Sequence, residues 1–181
     1  MKRAIFVVFA TLMALMLPTT AFASSVHLKG GANAEPAFTD GGIFLSAAGA
    51  LAGLGGGDVL VSLEAEGNVT STCTNQGGNA APGQNPAPLT FTGEQPISEE
   101  EIKNGTTPFD VVTVPPETPI PGAPGCANSN WTETIDDVAF INATITVEQP
   151  VGTLVLTVSC TFSSPTSDGA VPGSNVSCTP S

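Results

Sequence analysis

The stretch VLVSLEAEGNVTSTC, residues 59–73, decides the fold class. Apolar or small residues occupy every second position from Val59 to Cys73, and mostly polar residues lie between them. A period of two places one set of side chains on the core side of a strand and the other set toward solvent. Valine and threonine, which recur in the stretch, favour strands. The pattern predicts one long, half-buried β-strand.

Two later stretches repeat this alternation. Residues 139–147 predict a strand whose core side carries Ala139, Ile141, Ala143, Ile145 and Val147. Residues 154–162 predict a second strand with Leu154, Leu156, Val158, Cys160 and Phe162 on the core side. A turn at residues 149–152 is expected to join the two strands as a hairpin.

Glycine and proline clusters separate these strands from shorter candidates. We expect the shorter strands at residues 25–28, 42–49, 88–92, 109–114 and 176–178. Seven or eight strands with turn signals between them predict an all-β chain, an antiparallel β-sandwich of immunoglobulin-like type. A closed barrel is the alternative. At most one short helix is expected, beginning at the capping box Ser98–Glu101.

The N-terminal segment has the features of a secretory signal peptide. Met1–Arg3 is basic, residues 4–17 are apolar, and Ala21–Ala23 has the small-residue pattern of a cleavage site. We therefore expect residues 1–23 to be removed near Ala23 and residues 24–181 to form a single secreted domain. No later run reaches the roughly 18 apolar residues of a spanning helix, so the mature chain is expected to lack a transmembrane segment.

The charge balance excludes one large class of partners. The chain has 16 acidic and 4 basic residues, with a formal net charge of -12. Two of the basic residues leave with the signal peptide, and Lys29 and Lys103 are the strong cations that remain. Nucleic acid is not expected as a partner, because phosphate contacts need several lysines or arginines. No motif for a cofactor is present, and none is expected.

The chain has four cysteines, at positions 73, 126, 160 and 178. An even number in an exported chain favours two disulfides, for which three pairings are possible. Cys73–Cys126 with Cys160–Cys178 is preferred because it joins neighbours in the sequence. A zinc site is the rival interpretation, but no two cysteines have the spacing of a zinc knuckle, and His27 is the one histidine.

Four short sequence segments resemble segments of known proteins. They are residues 28–31 (LKGG), 49–55 (GALAGLG), 57–59 (GDV) and 156–160 (LTVSC). They resemble small secreted bacterial proteins of unknown function with predicted immunoglobulin-like folds. The resemblance implies a secreted β-sandwich and brings no catalytic signature with it.

The titratable residues do not form a recognisable catalytic motif, so we expect a protein that is not an enzyme. His27 lies too near the predicted mature N-terminus to serve a triad. Carboxylate pairs at Glu64 and Glu66, or at Asp136 and Asp137 just before a predicted strand, leave a hydrolase of extracellular polymers as the alternative. Such an enzyme needs two acids about 5–10 Å apart in a cleft. Asp136 and Asp137 are also the calcium candidates, although no EF-hand loop surrounds them.

A structural or binding module at the cell surface or outside the cell is the preferred function. Loops at one end of a sandwich commonly carry binding, and Pro115–Gly125, with five prolines, is the expected contact segment. Trp131 is expected to pack over a sheet edge or a disulfide; an exposed anchor is the alternative. The cell envelope or an extracellular protein is the expected partner, and a secreted inhibitor or effector is a further alternative.

Overall fold

Eleven β-strands run through the residues that the computed structural model describes, which are 25–31, 34–84 and 88–181. In chain order they are β1 (His27–Leu28), β2 (Ala37–Asp40), β3 (Leu45–Ala52), β4 (Val59–Thr74), β5 (Ala80–Pro82), β6 (Leu89–Ile97), β7 (Thr106–Val112), β8 (Thr132–Glu148), β9 (Leu154–Phe162), β10 (Gly169–Ala170) and β11 (Val176–Pro180). The predicted signal peptide, residues 1–23, lies outside the described residues. Among those that are described, no helix is long and apolar enough to cross a membrane.

The strands form two antiparallel sheets, so the chain is all-β. In the first sheet, β3 has β7 on one side and β2 and β1 on the other, and β10 pairs with β2. In the second sheet, β4 pairs with β8, β9 and β11 follow beyond β8, and β6 and β5 share the other side of β4. This arrangement is consistent with the predicted β-sandwich.

The number of strands exceeds the seven or eight expected from the sequence. The three additional strands are β2, β5 and β10, which have only two to four residues each. Such short segments contain too few positions to show a period of two, so the sequence pattern does not reveal them.

The core lies between the two sheets. Phe38 of β2 meets Phe162 of β9 edge to face, with ring centroids 5.2 Å apart. Phe91 of β6 and Phe140 of β8 form a second edge-to-face pair at 5.7 Å. This geometry suits the quadrupoles of the rings and adds to the gain from burying their apolar area.

The alternation predicted for residues 59–73 is confirmed along β4. Its inward positions are all buried, and every residue between them is at least partly exposed. The predicted hairpin between β8 and β9 also forms, with the Gln149 amide donating to the Thr153 carbonyl at 2.8 Å. Leu154 is 60% exposed, not inward as predicted, because the β8–β9 register shifts next to the turn.

The prediction for residues 139–147 is wrong in its first half. Val138 and Phe140 fill the core in place of Ala139 and Ile141. The cause is a β-bulge in β8, where one extra residue on β8 shifts its register against β4 next to Gly67. A Cβ atom at Gly67 would collide with the Val138 side chain, so glycine permits this close approach. Beyond the bulge the alternation follows the prediction.

The predicted helix start forms a single 3₁₀ turn, Glu99–Glu101. The Ser98 amide and hydroxyl both donate to the Glu101 carboxylate at 2.9 Å, which completes the capping box. These hydrogen bonds hold the pKa of Glu101 below its usual value. A second 3₁₀ turn, Gly173–Asn175, precedes β11.

Candidate functional site

Two disulfides, Cys73–Cys126 and Cys160–Cys178, link all four cysteines. They are the pairs preferred from the sequence. Cys160–Cys178 joins directly paired positions of β9 and β11, whereas Cys73–Cys126 ties the end of β4 to the long connection before β8. Two disulfides indicate an oxidising, extracellular environment.

The Cys73–Cys126 disulfide holds two similar turns side by side. Asn75 follows Cys73 by two residues, and Asn128 follows Cys126 by two residues. The Asn75 side-chain oxygen accepts hydrogen bonds from the amides of Gly77 at 2.9 Å and Asn79 at 3.0 Å. The Asn128 side-chain oxygen likewise accepts from the amide of Asn130 at 3.0 Å. Asparagine side chains that close turns in this way reduce the freedom of the loops that carry them.

These two turns and Trp131 enclose a shallow surface depression of about 330 Å³. Its lining residues are Asn75, Gln76, Gly77, Asn128, Asn130 and Trp131. Trp131 is half-buried, and its backbone amide donates to the Asn128 carbonyl at 3.2 Å. Trp131 is therefore partly exposed, and it lines a depression that the prediction of packing over a sheet edge or a disulfide did not include.

A fully buried glutamate of β8 supports this end of the molecule from below. Glu133 accepts a 2.8 Å hydrogen bond from the Ser71 hydroxyl and another, also at 2.8 Å, from the Gly125 amide. A buried carboxyl group is costly unless it is hydrogen-bonded, and both of its oxygens accept hydrogen bonds here. The sequence pattern did not single out Glu133, because its two partners come from other segments of the chain.

The predicted contact segment, Pro115–Gly125, runs along the same end. Most of its side chains are exposed, but Ala123 and Gly125 are buried and anchor it. The Ile120 amide donates to the Glu133 carbonyl at 2.9 Å. The Gly125 carbonyl accepts from the Gln84 amide at 2.8 Å. The segment is thus held in place by backbone hydrogen bonds, and Cys126 connects it to the Trp131 depression.

Asp136 and Asp137, the calcium candidates, do not share a site. Both lie inside β8, not just before a strand as predicted, because β8 begins at Thr132 and bulges at this point. The Asp136 carboxylate accepts a 2.6 Å hydrogen bond from the Thr72 hydroxyl. Asp137 instead lies near Asp168 and Asp40. Within residues 25–31, 34–84 and 88–181, no group of three acidic, histidine or cysteine side chains is placed to hold a metal ion.

The pKa of Asp137 is raised above its usual value. Burial is the largest cause, and the nearby carboxylates of Asp168 and Asp40 add to it by repulsion. Asp40 is almost fully buried and accepts hydrogen bonds from the Gly42 amide and the Thr166 hydroxyl. This cluster of three acids was not visible in the sequence, because its members come from β2, β8 and the loop before β10.

The outer face of the second sheet is polar along β4, β6 and β8. Glu64 and Glu66 lie on it as predicted, and the Glu66 carboxylate accepts from the Asn142 side chain at 2.7 Å. A second depression of about 270 Å³ lies between these three strands, and Glu64 and Glu94 are the carboxylates in its lining. His27 lies apart from these acids, exposed in β1, with its ring against the Ser25 carbonyl at 2.6 Å.

Comparisons of the chain with protein-family models, with curated proteins and with solved structures give no match. The functional interpretation therefore depends on the geometry of the chain itself.

Proposed function

We propose that the chain is a non-catalytic, secreted or surface-bound binding module with an immunoglobulin-like sandwich. Its contact surface is the end of the molecule fastened by Cys73–Cys126, which presents Pro115–Gly125 and the Trp131 depression. A signal peptide over residues 1–23 would deliver it to the oxidising environment that its disulfides require.

One observation carries this proposal: three separate parts of the chain are fastened together at one end while their tips stay exposed. The Asn75 turn, the Pro115–Gly125 segment and Trp131 are joined by the disulfide and by the buried Glu133 carboxylate. Binding loops held in one conformation lose less entropy when they engage a partner, so a preorganised surface favours affinity.

Co-sedimentation with the envelope of the producing cell tests the proposal. We expect the oxidised chain to pellet with the envelope, and replacement of Glu117, Thr118 and Pro121 by alanine to abolish pelleting. These three residues are exposed, so the replacements should leave stability unchanged.

The β8–β9 hairpin tip offers a matched control. Val151 and Thr153 are exposed at the opposite end of the β4–β8 pair, about 50 Å away for a 16-residue strand. Alanine at these two positions should leave pelleting intact. Loss of binding in the tip variant but not in the loop variant would overturn the assignment. A chain that stays in the supernatant would direct the search to soluble partners, as for an inhibitor or effector.

A carboxylate-based hydrolase is the second candidate, and the Asp137–Asp168 pair is the observation that favours it. A carboxyl group with a raised pKa beside a second carboxylate is the arrangement that general acid catalysis uses. Hydrolysis of an extracellular polymer that disappears in Asp137→Asn would support an enzyme. Hydrolysis that is unchanged in this variant would remove the pair from consideration.

A further inference from the structure

The Trp131 depression combines an aromatic ring with carboxamide groups. Asn75 and Asn128 use their side-chain oxygens to close their own turns, so their NH₂ groups are the donors that remain. Gln76 and Asn130 are exposed at the rim and supply both donors and acceptors. The depression thus offers one apolar surface and several neutral hydrogen-bonding groups, of which those of Asn75 and Asn128 are held in place by their own turns.

The charge around the depression limits its ligand. Its lining, taken over the described residues, contains no charged side chain, and the chain as a whole carries a net charge of -12. An anionic ligand would be repelled, and the lining offers it no cation. A peptide ligand normally uses apolar side-chain pockets or an open strand edge, and the lining has neither.

We propose that this depression is a carbohydrate-binding site for a neutral sugar. The C–H face of a pyranose ring stacks on the Trp131 indole, and its hydroxyls bond to the carboxamides of Asn75 and Asn128. This inference depends on the proposed function, because it names the ligand class of the same contact surface. The shallow, open shape suits one or two rings of a longer glycan chain.

The intrinsic fluorescence of the protein provides a direct test. Trp131 is the only tryptophan in the sequence, and there is no tyrosine, so the emission reports on this depression alone. We would titrate the oxidised, exported chain with three neutral hexasaccharides, of β-1,4-linked glucose, β-1,4-linked N-acetylglucosamine and α-1,4-linked glucose. At least one should change the emission saturably, while a hexamer of galacturonate should not.

Two asparagine variants locate the binding. Asn75→Ala and Asn128→Ala each remove a donor and open a turn, and each should raise the dissociation constant at least tenfold. Asn68→Ala is the matched control, since Asn68 is exposed on β4 away from the depression and should leave the titration unchanged. Trp131→Phe, followed by calorimetry, keeps an aromatic ring and should bind more weakly than the parent but better than Trp131→Ala.

Two results would overturn the inference. One is that none of the three neutral hexasaccharides changes the Trp131 emission at concentrations up to about 10 mM, at which even a millimolar dissociation constant would be detected. The other is binding that survives both asparagine substitutions together. If the Pro115–Gly125 variant still abolishes envelope pelleting in either case, the proposed function stands and only the sugar assignment fails. If pelleting is also unaffected, both fail.

Discussion

The backbone amide of Gly125 donates a 2.8 Å hydrogen bond to the carboxylate of Glu133, eight residues further along the chain and fully buried. Ser71 of β4 supplies the other hydrogen bond, also at 2.8 Å. A Cβ atom at Gly125 would collide with this carboxylate, so the loop and the glutamate fit each other closely. One buried side chain thus connects β4, β8 and the loop that carries Cys126.

Replacement of Glu133 tests the strength of this connection. Glu133→Ala leaves the Ser71 hydroxyl and the Gly125 amide buried without an acceptor, and should cost about 3 kcal/mol of unfolding free energy. Glu133→Gln keeps the volume and one acceptor, so its cost should be smaller. Urea unfolding of the oxidised chain measures both.

Glu64→Ala is the control for that series, because Glu64 is exposed on β4 and its removal should change stability by no more than about 0.5 kcal/mol. Equal stability of Glu133→Ala and Glu64→Ala would show that the buried carboxylate does not hold the loop.

A buried glutamine fastens the opposite end of the molecule. The Gln149 carboxamide accepts from the Gly55 amide at 2.9 Å and donates to the carbonyls of Gly55 and Gly57 at 3.0 Å. Gln149→Ala should cost about 2–3 kcal/mol, because it leaves these backbone groups unpaired. Gln149→Glu should be worse at pH 7, since a carboxylate cannot donate to two carbonyls.

Thermal unfolding at pH 7 and pH 4 checks this expectation. The Glu variant should recover part of its stability at the lower pH, where the carboxyl group can carry a proton and donate. Gln84→Ala, at an exposed position, is the control. If Gln149→Ala were as stable as Gln84→Ala, the hydrogen bonds of Gln149 would not stabilise this end of the molecule.

Asp137 makes stability depend on pH with a definite sign. Its pKa is raised in the folded state, so the folded chain keeps this proton to higher pH than the unfolded chain does. Its contribution to stability therefore falls as the pH rises from about 4 through the raised pKa, and is constant above that range. Asp137→Asn removes the cost of burying a charge and the repulsion with Asp168 and Asp40, and should be more stable than the parent at pH 7.

Unfolding of this variant between pH 3 and pH 8 is the measurement. The advantage of Asp137→Asn should shrink as the pH falls and vanish below about 4, where the parent is protonated in both states. Asp110→Asn, on the exposed side of β7, is the matched control. A gain of the same size at every pH would show that the charge of Asp137 is not its origin.

Local alternation was sufficient to predict β4, most of β9 and the hairpin between β8 and β9. It failed at Ile141, because the bulge there is set by the contact with Gly67 on the partner strand, and no local pattern marks it. The two disulfides could be preferred from spacing alone. The depression beside the first disulfide could not be predicted, because it forms only when the Asn75 and Asn128 turns and Trp131 come together in the folded chain.

In the candidate site too, some features could be predicted from the local sequence and others depend on contacts between distant residues. Trp131 and the Pro115–Gly125 segment were visible as an aromatic residue and a proline-rich stretch. The roles of Glu133 and Gln149 could not be predicted from the sequence. A buried polar residue can be identified only when its hydrogen-bond partners are known, and the partners of these two residues lie far away in the sequence. The Asp40–Asp137–Asp168 cluster was missed for the same reason.

The two disulfides should differ in both stability and function. Cys73–Cys126 spans 53 residues and Cys160–Cys178 spans 18, so the chain-entropy model predicts losses of about 4 and about 3 kcal/mol when each pair is replaced by alanine. Only the first pair joins the two asparagine turns. Its removal should therefore weaken envelope pelleting and the response of Trp131 to the sugar, whereas removal of the second should leave both intact in the folded protein.

Urea unfolding of the two double variants, followed by binding at a temperature where both remain folded, separates the two effects. The variant without Cys160–Cys178 controls for a general loss of stability, because it lacks a disulfide but keeps the contact surface. Equal binding by the two variants would mean that the turns hold their positions without the covalent link. The preorganisation argued for this surface would then have to come from the Glu133 hydrogen bonds alone.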